Sequence, residues 1–337
     1  MAKIKAGIIG ATGYSGETLL SLLLKHPSVS VEVITSRTYG GKKISEVYPH
    51  LAGICDLVCQ KPNMAKLPKL DVAFVALPHG LSQAIIPDLL KKGIVVIDIG
   101  ADFRFRNADD YTTWYGVKHK SSSLCETAVY GIPEIHAKDI KKASLIANPG
   151  CYATAAILGL YPLIKENLIT DGSIVVDAKS GVSGAGRALS LNTHYCECSE
   201  SISAYKIAVH RHTGEIEQEL GTKITFVPHL TPMNRGILAT IYASVSAQHG
   251  FFAAFERVYK KAPFVRLYKK GLPSTKNVAG TNYCDIAVTY DKRTEKVIII
   301  SALDNLIKGA AGQAVQNMNI RFGFPAKAGL DLIGVYP

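Results

Sequence analysis

The sequence predicts an α/β protein with a Rossmann-type, doubly wound parallel sheet, plus an α+β domain with a mixed or antiparallel sheet. Residues 3–100 alternate short apolar strand patterns with helical periodicity, which is typical of βαβ units. A glycine-rich stretch follows the first of these strands. After Cys151 strand patterns dominate, and strands that no longer alternate with helices favour a mixed or antiparallel sheet.

In the first half of the chain, short apolar runs predict strands that are buried on both faces. The predicted strands are Ile4 to Ile9, Ser30 to Thr35, Val72 to Leu77 and Val95 to Ile99. Helical spacing of apolar residues covers Thr18 to Leu24 and Leu81 to Lys92. Strands that alternate with helices in this way predict a parallel sheet with crossover helices.

In the second half, the predicted strands are Ser173 to Ala178, Lys223 to Pro228, Ile237 to Ser246, Cys284 to Tyr290 and Lys296 to Ser301. Helices are predicted at Tyr152 to Ile164, Phe251 to Lys260 and Ala310 to Asn319. We expect the last helix to return to the first domain, so that residues 1–148 plus about 304–337 form one domain and 149–303 the other. Ligand sites favour such domain junctions.

The net charge of +11 raises the question of nucleic-acid binding. The lysines occur in scattered pairs, such as Lys91-Lys92 and Lys269-Lys270, without a basic stripe that has interleaved aromatic residues. We therefore expect no nucleic-acid partner and interpret the charge as a field that attracts small anionic substrates. A general surface charge without a specific ligand is the competing interpretation.

Composition and cysteine usage predict a cytoplasmic protein. No apolar run is long enough to span a membrane, and the first residues lead directly into a strand pattern, so we expect neither a membrane segment nor a signal peptide. The seven cysteines have no disulfide-framework spacing and are expected to be reduced. Cys196-Glu197-Cys198 lacks a second Cys or His pair, so no metal site is predicted.

The stretch Asn148-Pro149-Gly150-Cys151 places one thiol at the start of an apolar helical run. A helix N-terminus offers unpaired backbone N–H groups and the positive end of the helix dipole, and both favour the thiolate. We therefore predict that Cys151 is a nucleophile. The competing interpretation is a small buried residue that only fills space.

A dinucleotide-binding loop is predicted where the first strand meets the first helix. The glycines of Gly10-Ala11-Thr12-Gly13-Tyr14-Ser15-Gly16 allow a tight turn and close approach of the backbone to a pyrophosphate. The second strand ends in Thr35-Ser36-Arg37, where an NAD-binding fold usually has an acidic residue for the ribose 2′-hydroxyl. Because a guanidinium suits a 2′-phosphate, NADP(H) is the predicted cofactor, although Arg37 could also be merely solvated.

Two further segments carry candidate site residues. Residues 179–187, Lys-Ser-Gly-Val-Ser-Gly-Ala-Gly-Arg, follow a strand and are predicted to form a donor-rich loop near a cofactor or phosphate. His210 and His212 could supply the acid/base partner that a nucleophilic cysteine needs. Two histidines are too few for a metal site, and Glu215 and Glu217 are explained as residues of a helix start.

Three arginines lie beside predicted turns: Arg104, Arg187 and Arg235. Each guanidinium could bind a carboxylate or phosphate through paired hydrogen bonds. A surface ion pair is the other interpretation for each. Thr213 is a candidate cap for the helix that follows the two histidines.

Taken together, these motifs resemble those of the N-acetyl-γ-glutamyl-phosphate reductase family of arginine biosynthesis, which is related to aspartate-semialdehyde dehydrogenase. Six stretches carry the resemblance in order along essentially the whole chain: GATGYSG at 10–16, NPGCYAT at 148–154, KSGVSGAGR at 179–187, HRHTGEIEQ at 210–218, PMNRGI at 232–237 and DNLIKGAAGQAVQN at 304–317. This ordered set is more specific than any single motif.

The resemblance implies a role for each matching residue. Cys151 would form a thioester with an acyl phosphate, and His210 would be the acid/base partner. The substrate-binding residues would be Arg104, Asn148, Ser183, Arg187, His212 and Glu215. The cofactor-binding residues would be Gly10, Thr12, Gly13, Tyr14, Ser15, Gly16, Ser36, Arg37, Leu77, Pro78, Ser180, Gly181 and Asn305, with Ser180 and Gly181 near the nicotinamide. A small-molecule substrate and a homodimer or homotetramer are expected.

The chain departs from the family pattern at Ala153 and Gly214, where the family usually has proline. Gly214 is expected to loosen the turn after the histidines. Three other functions stay open: a sister reductase acting on a carrier-bound aminoadipyl phosphate in lysine synthesis, aspartate-semialdehyde dehydrogenase, and a non-catalytic NADP-binding regulator. The HRHTGE segment argues against the second, and an intact Cys151 and His210 against the third.

Overall fold

The structure, a computed structural model, describes residues 3–246, 249–334 and 336. The chain forms two compact units, one made of residues 3–149 and 310–331 and the other of the described residues in 150–309 and 332–336. The units differ from the predicted domains at three places: Pro149 lies in the first unit, and residues 304–309 and the described residues in 332–336 lie in the second. Asp304 and Asn305 hold residues 304–309 there by accepting the N–H groups of Gly280 and Gly236, both at 2.8 Å. Met1, Ala2, Val335 and Pro337, which the predicted first domain included, lie outside the described residues.

The first unit contains a parallel sheet of six strands among the described residues, in the order β2-β1-β3-β4-β6-β5. The strands are β1 (Ile4–Ile9), β2 (Val29–Thr35), β3 (Val72–Val75), β4 (Val95–Asp98), β5 (Val129–Tyr130) and β6 (Leu145–Ala147). The predicted fold class of this half is confirmed. Apolar side chains such as Ile9, Val75 and Val96 form its core, because strands covered on both faces bury almost every residue.

The helices of the first unit are α1 (Tyr14–Leu24), α2 (Ile44–Val47), α3 (Ile86–Lys91), α4 (Ala108–Tyr115), α5 (Pro133–Ile140) and, from the C-terminal part of the chain, α11 (Gly312–Arg321). The predicted helix Leu81 to Lys92 is divided into a 3-10 turn, Ser82–Ala84, and α3. Pro87 lies in the first turn of α3, and since it has no N–H the helical ladder cannot continue back through it. The predicted C-terminal helix begins with a π-helical turn, Ile307–Ala311, before α11.

The second unit contains a mixed sheet of seven strands in its described part, in the order β11-β12-β13-β10-β7-β9-β8. The strands are β7 (Val175–Gly181), β8 (Ser203–Ala204), β9 (Thr225–Thr231), β10 (Ile237–Ser244), β11 (Val265–Leu267), β12 (Cys284–Asp291) and β13 (Lys296–Leu303). The pairs β7–β9 and β11–β12 are parallel and the others antiparallel, which confirms the predicted second sheet.

One helix, α6 (Cys151–Lys165), organises the core of the second unit. The other helices there are α7 (Tyr195–Cys198), α8 (His212–Leu220), α9 (Phe251–Tyr259) and α10 (Thr275–Val278). Helix α6 contacts β10 and β13 as well as α8 and α9, and most of its side chains are buried. Its apolar sequence therefore reflects burial on nearly all sides rather than one amphipathic face.

The predicted loop 179–187 is partly wrong. Lys179, Ser180 and Gly181 belong to strand β7, where Ser180 pairs with Ile237 of β10 and Gly181 with Thr231 of β9. The loop begins only at Val182, in the 3-10 turn Val182–Ala185. Pairing on both sides holds these polar and glycine residues in a strand that their local pattern does not predict.

Helix α6 tolerates an internal proline through a hydrogen bond from α9. Pro162 has no N–H, so the carbonyl of Leu158 loses its usual helical donor. The hydroxyl of Tyr259 donates to that carbonyl at 2.7 Å in a buried position. This bond satisfies a backbone group that would otherwise be buried without a partner.

We expect Tyr259→Phe to lower the free energy of unfolding by about 1–3 kcal/mol, because it leaves a buried carbonyl unsatisfied. Pro162→Ala restores a backbone N–H that can reach Leu158, so in that background the same substitution should cost less, by on the order of 1 kcal/mol. Urea unfolding of the wild type, the two single variants and the double variant measures this coupling. Equal costs of Tyr259→Phe in both backgrounds would contradict it.

Candidate active site

Cys151 is the first residue of α6, as the sequence predicted, and Gly150 is the N-cap. Because the N-cap residue is glycine, no side chain at that position forms a capping hydrogen bond with the first turn of the helix. The first-turn N–H groups have no helical acceptor and point outward from the helix start. The half-buried thiol of Cys151 therefore lies where a helix favours negative charge.

Two glycines allow other parts of the second unit to approach this helix start closely. A Cβ atom on Gly150 would lie 2.4 Å from Nε2 of His212 and 2.6 Å from Oε1 of Glu215. A Cβ atom on Gly309 would lie 2.7 Å from Cβ of Cys151. Only glycine fits at either position without displacing these side chains, so both glycines help to define the surroundings of the thiol.

Glu215 anchors the residue that precedes Cys151. Its side chain is buried, and Oε2 accepts the N–H of Gly150 at 3.1 Å. The other oxygen, Oε1, lies 3.6 Å from Nε2 of His212, which is an ion-pair distance rather than a hydrogen bond. The structure thus places His212 and Glu215 beside the N-cap residue that precedes Cys151, and it gives Glu215 a direct bond to that residue.

His210 lies in an enclosure of aromatic side chains. Its ring centroid is 5.8 Å from that of Tyr152, 5.5 Å from that of Tyr205 and 5.3 Å from that of Phe226, and all three contacts are edge-on. The ring of His212 is 4.7 Å away. None of the three aromatic residues is among the predicted site residues. Tyr152 could have been noticed because it follows Cys151 directly, whereas Tyr205 and Phe226 are brought in only by the fold.

Burial keeps the imidazole of His210 neutral. Loss of solvation, followed by the nearby His212, Lys206 and Arg211, lowers the pKa of His210 to about 2. The backbone N–H of His212 donates to Nδ1 of His210 at 3.1 Å, so this hydrogen bond assigns the ring proton to Nε2. A neutral ring with a defined tautomer presents one N–H donor, on Nε2.

The predicted cap at Thr213 is wrong. Helix α8 begins at His212 with Arg211 as the N-cap, and no side chain caps it by a hydrogen bond. The hydroxyl oxygen of Thr213 is buried without a hydrogen-bond partner. Gly214, expected to loosen a turn, is a buried residue within the helix, so the helical hydrogen bonds hold the backbone there.

A second group of predicted residues lies together in the second unit. Asn305 donates from Nδ2 to the hydroxyl of Ser183 at 2.9 Å and accepts the N–H of Gly236 at 2.8 Å. A Cβ atom on Gly181 would lie 2.7 Å from the carbonyl oxygen atoms of Met233 and Asn234, so glycine is required there. Ser180 is buried, and Arg187 is half-buried. That Ser180, Gly181 and Asn305 face a nicotinamide stays a prediction.

The predicted dinucleotide loop has the geometry that a pyrophosphate requires. Gly10 has a φ of 99°, and a Cβ atom there would lie 2.4 Å from the carbonyl oxygen of Ala76. A Cβ atom on Gly16 would lie 2.2 Å from the carbonyl oxygen of Gly10, whereas one on Gly13 would have nothing within 4 Å. The loop is therefore tight at its ends and open at Gly13, in front of the uncapped first turn of α1 formed by Tyr14, Ser15 and Gly16. These residues fit a bound dinucleotide.

The end of β2 lies beside this loop in the first unit. The hydroxyls of Ser36 and Thr12 are 2.8 Å apart, and Arg37 is exposed. Leu77 and Pro78 follow β3 after Ala76, and a Cβ atom on Gly10 would lie 3.0 Å from Cδ2 of Leu77. Arg37 thus has an exposed guanidinium next to a pair of hydroxyls.

Arg104 and Asn148 form a buried group in the first unit. Arg104 donates from Nε to the carbonyl of Asn148 at 2.9 Å and from Nη2 to the carbonyl of Ile99 at 3.3 Å. The side-chain amide of Asn148 donates to the carbonyl of Ala310 and accepts from Asn317, both at 3.0 Å. Asn148 is fully buried, and these bonds hold its side chain in place; that it contacts the substrate stays a prediction.

Within the described part of the chain, no group of three or more His, Cys, Asp or Glu side chains is arranged to hold a metal ion. Cys55, Cys59, Cys125 and Cys284 are buried, Cys196 is exposed, and none of the seven cysteines forms a disulfide in the described residues. No helix in the described ranges is long and apolar enough to cross a membrane.

Comparison with known proteins decides the family. A model described as "semialdehyde dehydrogenase, NAD binding domain" matches residues 5–143, and one described as "semialdehyde dehydrogenase, dimerisation domain" matches residues 151–305. N-acetyl-gamma-glutamyl-phosphate reductases from Desulforamulus reducens and Desulforudis audaxviator are 49% and 50% identical, over 99% of this chain and all of theirs. The chain belongs to the N-acetyl-γ-glutamyl-phosphate reductase family.

Solved structures support the same fold for this family member. Aspartate semialdehyde dehydrogenase II from Vibrio cholerae, complexed with ASA, superposes with a TM-score of 0.73 at 18% identity, covering 96% of this chain and 99% of that one. Aspartate semialdehyde dehydrogenase with NADP from Candida albicans superposes with a TM-score of 0.67 at 15% identity, covering 97% and 99%. At such low identity these likenesses show the two-domain fold alone.

The pH dependence of stability should report the buried ring of His210. Its pKa falls from 6.5 to about 2 on folding, so the unfolded chain binds one more proton between these values. This contribution to stability is present above the unfolded pKa and is lost as the pH falls towards the folded one. We expect urea midpoints of the wild type to fall more steeply between pH about 7 and about 5 than those of His210→Asn.

The matched control is His249→Asn, which replaces an exposed histidine of the second unit. It should keep the slope of the wild type. If the urea midpoint of His210→Asn showed the same pH dependence as that of the wild type, the imidazole of His210 would accept its proton as readily in the folded protein as in the unfolded chain.

Proposed function

We propose that the protein catalyses the NADPH-dependent reduction of N-acetyl-γ-glutamyl phosphate to N-acetylglutamate 5-semialdehyde and phosphate, a step of arginine biosynthesis. The observation that carries the proposal is the thiol of Cys151 at an uncapped helix start, with the half-buried His212 and the buried Glu215 alongside. The relatives that match the whole length of the chain bear the name of this activity. The comparisons give no support to the aminoadipyl or aspartate-semialdehyde alternatives.

The proposed chemistry begins at the sulfur of Cys151. Its thiolate attacks the γ-carbonyl carbon of the acyl phosphate, and the carbon–oxygen bond to phosphate breaks, which leaves a thioester on Sγ. Bound NADPH supplies the hydride that reduces the acyl group to the level of the aldehyde. The first-turn N–H groups of α6 donate to the carbonyl oxygen as it becomes an oxyanion.

In this proposal His210 presents its ring proton to the reacting oxygen. Its neutral ring carries the proton on Nε2, because Nδ1 accepts the N–H of His212. From there Nε2–H donates a hydrogen bond to the alkoxide oxygen that hydride addition leaves on the adduct, and collapse of this alkoxide breaks the carbon–sulfur bond and releases the semialdehyde and the thiolate. The aromatic rings around His210 exclude water from this step.

We propose that the first unit holds NADP(H). The glycine loop at residues 10–16 binds the diphosphate, since its glycines permit close backbone approach and Gly13 faces open space. Ser36 and the exposed Arg37 bind the 2′-phosphate, because no acidic residue occupies the end of β2. The anionic substrate suits the net charge of +11, and we assign Arg104, Ser183 and Arg187 to its phosphate and carboxylate groups.

We propose that the chain assembles as a homodimer, or as a homotetramer built from it, in the cytoplasm. The segment from 186 to 209 leaves six large apolar side chains more than half exposed: Leu189, Leu191, Tyr195, Ile202, Ile207 and Val209. One face of β10 is only half-buried at Leu238, Thr240 and Tyr242. Such surfaces mark interaction sites, and the family model for 151–305 is described as a dimerisation domain.

Sedimentation equilibrium tests the assembly. We expect the wild type to form dimers or tetramers at micromolar concentration, and Leu191→Asp to shift the distribution towards monomers because it places a charge in an apolar contact. Ile54→Asp, which changes an exposed apolar residue of the other unit, is the control and should leave the assembly unchanged. A monomeric wild type would contradict the proposal.

Cys151→Ala should abolish turnover while NADP binding survives. Loss of a covalent nucleophile removes most of the rate enhancement, whereas the glycine loop belongs to the other unit. The measurement is NADP reduction in the presence of N-acetylglutamate semialdehyde and phosphate, run beside aspartate semialdehyde, with NADP binding followed by calorimetry.

Cys196→Ser is the matched control, since this exposed thiol lies in the same unit as Cys151 and should be dispensable. Phosphate-dependent turnover of the Cys151→Ala variant at more than a few per cent of the wild type would show that the nucleophile lies elsewhere. A wild type that prefers aspartate semialdehyde would overturn the substrate assignment.

Arg37→Asp should reduce the preference for NADP over NAD by roughly 10- to 100-fold, because it removes one charge-assisted contact to the 2′-phosphate. Lys42→Asp makes the same charge change at a nearby exposed position and is the control. The measurement is the ratio of kcat/KM for the two cofactors. An unchanged ratio in Arg37→Asp, or an equal loss in Lys42→Asp, would show that Arg37 does not bind the 2′-phosphate.

A further inference from the structure

Two carboxyl groups share one hydroxyl inside the first unit. Asp98 is the last residue of β4, Asp102 follows four residues later, and both side chains are completely buried, as is Ser82. The hydroxyl oxygen of Ser82 lies 2.8 Å from Oδ2 of Asp102 and 3.2 Å from Oδ2 of Asp98. The reaction proposed above uses none of these three residues.

The two contacts of the Ser82 hydroxyl, with Asp98 and with Asp102, need two hydrogens between them. The hydroxyl of Ser82 has one hydrogen and can donate to only one carboxylate. If both carboxylates were ionised, the second contact would bring two acceptors together in a buried site with no hydrogen between them. A proton on Oδ2 of Asp98 fills that contact, and the shorter distance to Asp102 is the direction in which Ser82 donates.

The other hydrogen bonds identify which carboxyl carries the proton. Asp102 already accepts from the N–H of Gly80 at 2.6 Å, the hydroxyl of Tyr111 at 2.9 Å and the N–H of Gln83 at 3.1 Å, so it is bonded as an anion. Asp98 has one other donor, the N–H of Gly100 at 3.0 Å on Oδ1, which leaves Oδ2 able to carry a hydrogen.

We propose that Asp98 is a neutral carboxylic acid that donates to Ser82, and that the chain Asp98–Ser82–Asp102 positions Arg104 and the loop after β3 for the reaction. Asp98 and Asp102 are positioning residues in this proposal, which rests on the proposed function only for its catalytic consequence.

The charges around Asp98 agree with a neutral acid. Burial, followed by the negative charge of Asp102, raises the pKa of Asp98 to about 7, against the opposing effect of the Arg104 guanidinium. The other ionisable groups near this pair are Tyr111 and His119, which bond the side chain and the carbonyl of Asp102, and the buried thiol of Cys125, whose pKa Asp102 helps to raise.

Protonated Asp98 stabilises the fold most at low pH, because folding raises the pKa of this carboxyl above its usual value of 3.8. This stabilisation is lost as the pH rises through about 7. Above that range we expect the hydrogen bond from Asp98 to Ser82 to break and the groups it positions to loosen.

The groups that Asp98 and Asp102 position meet at the carboxyl ends of β3, β4 and β6. Asp102 holds Gly80 and Gln83 in the loop after β3, and the carbonyl of Asp98 accepts the N–H of Asn148 at 2.8 Å. Arg104 in turn donates to the carbonyl of Asn148, three residues before Cys151 in the sequence. Ligands of open α/β sheets bind at this edge, so the pair supports the arginine assigned to the substrate.

Asparagine substitutions distinguish the two carboxyls. In Asp98→Asn the amide nitrogen can donate to Ser82 while Oδ1 still accepts from Gly100, so the variant copies the neutral acid. We expect it to keep the KM for phosphate of the wild type to within about twofold near pH 6.5, and to keep that value above pH 7, where the KM of the wild type rises. In Asp102→Asn the amide nitrogen would face another donor, so we expect the KM for phosphate to rise by at least about tenfold with a smaller change in kcat.

Infrared spectroscopy of the full-length protein without substrate provides a readout that does not depend on activity. The difference spectrum between the wild type and Asp98→Asn at pH about 6 should contain the C=O band of a protonated carboxyl, and this band should disappear as the pH rises through about 7. The infrared band can be measured even if Asp102→Asn fails to fold or if the substrate assignment is wrong. Absence of the band, or an Asp98→Asn variant that binds phosphate as poorly as Asp102→Asn, would overturn the proposal.

Discussion

A nucleophilic thiol at a helix start needs exposed backbone N–H groups and close neighbours at the same time, and the second unit satisfies both demands through glycine. Gly150 lets Glu215 and His212 approach the N-cap of α6, and Gly309 lets the π-helical turn lie against Cys151. Packing holds the helix in place, because most of its side chains are buried. Burial of one helix therefore fixes where the thiol lies and what can surround it.

The same burial sets the protonation state of the neighbouring histidine. Tyr152 belongs to α6, and its ring forms one wall of the enclosure around His210. Removing water lowers the pKa of that imidazole far below its usual range, and the N–H of His212 fixes its tautomer. The position of Cys151 and the neutral state of His210 thus have a single physical origin, which is the packing of α6 against α8 and of its Tyr152 against Phe226 of β9.

The first unit handles buried polar groups in a different way. There the carboxyl ends of the parallel strands bring acidic side chains and backbone donors together without water. Asp102 accepts four hydrogen bonds, one of them from the hydroxyl of Ser82. The proposed proton of Asp98 supplies the hydrogen in its contact with the same hydroxyl. In the second unit the hydroxyl of Tyr259 donates to the carbonyl of Leu158, which Pro162 leaves without its usual helical donor. In each case a side chain supplies the hydrogen bond that the local backbone cannot make, as buried polar groups require.

The sequence alone determined the features that depend on neighbouring residues: strands such as Ile4–Ile9, the helix start at Cys151 and the glycine loop with its strand-to-helix context. Local periodicity and turn chemistry suffice for these. Tertiary structure alone decided that Ser180 and Gly181 extend β7, that residues 304–309 stay with the second unit, and that Gly214 lies within α8. It also brought Ser82 to Asp98 and Asp102, and Tyr205 and Phe226 to His210. These features arise from pairing and packing between residues distant in the chain, which no local pattern records.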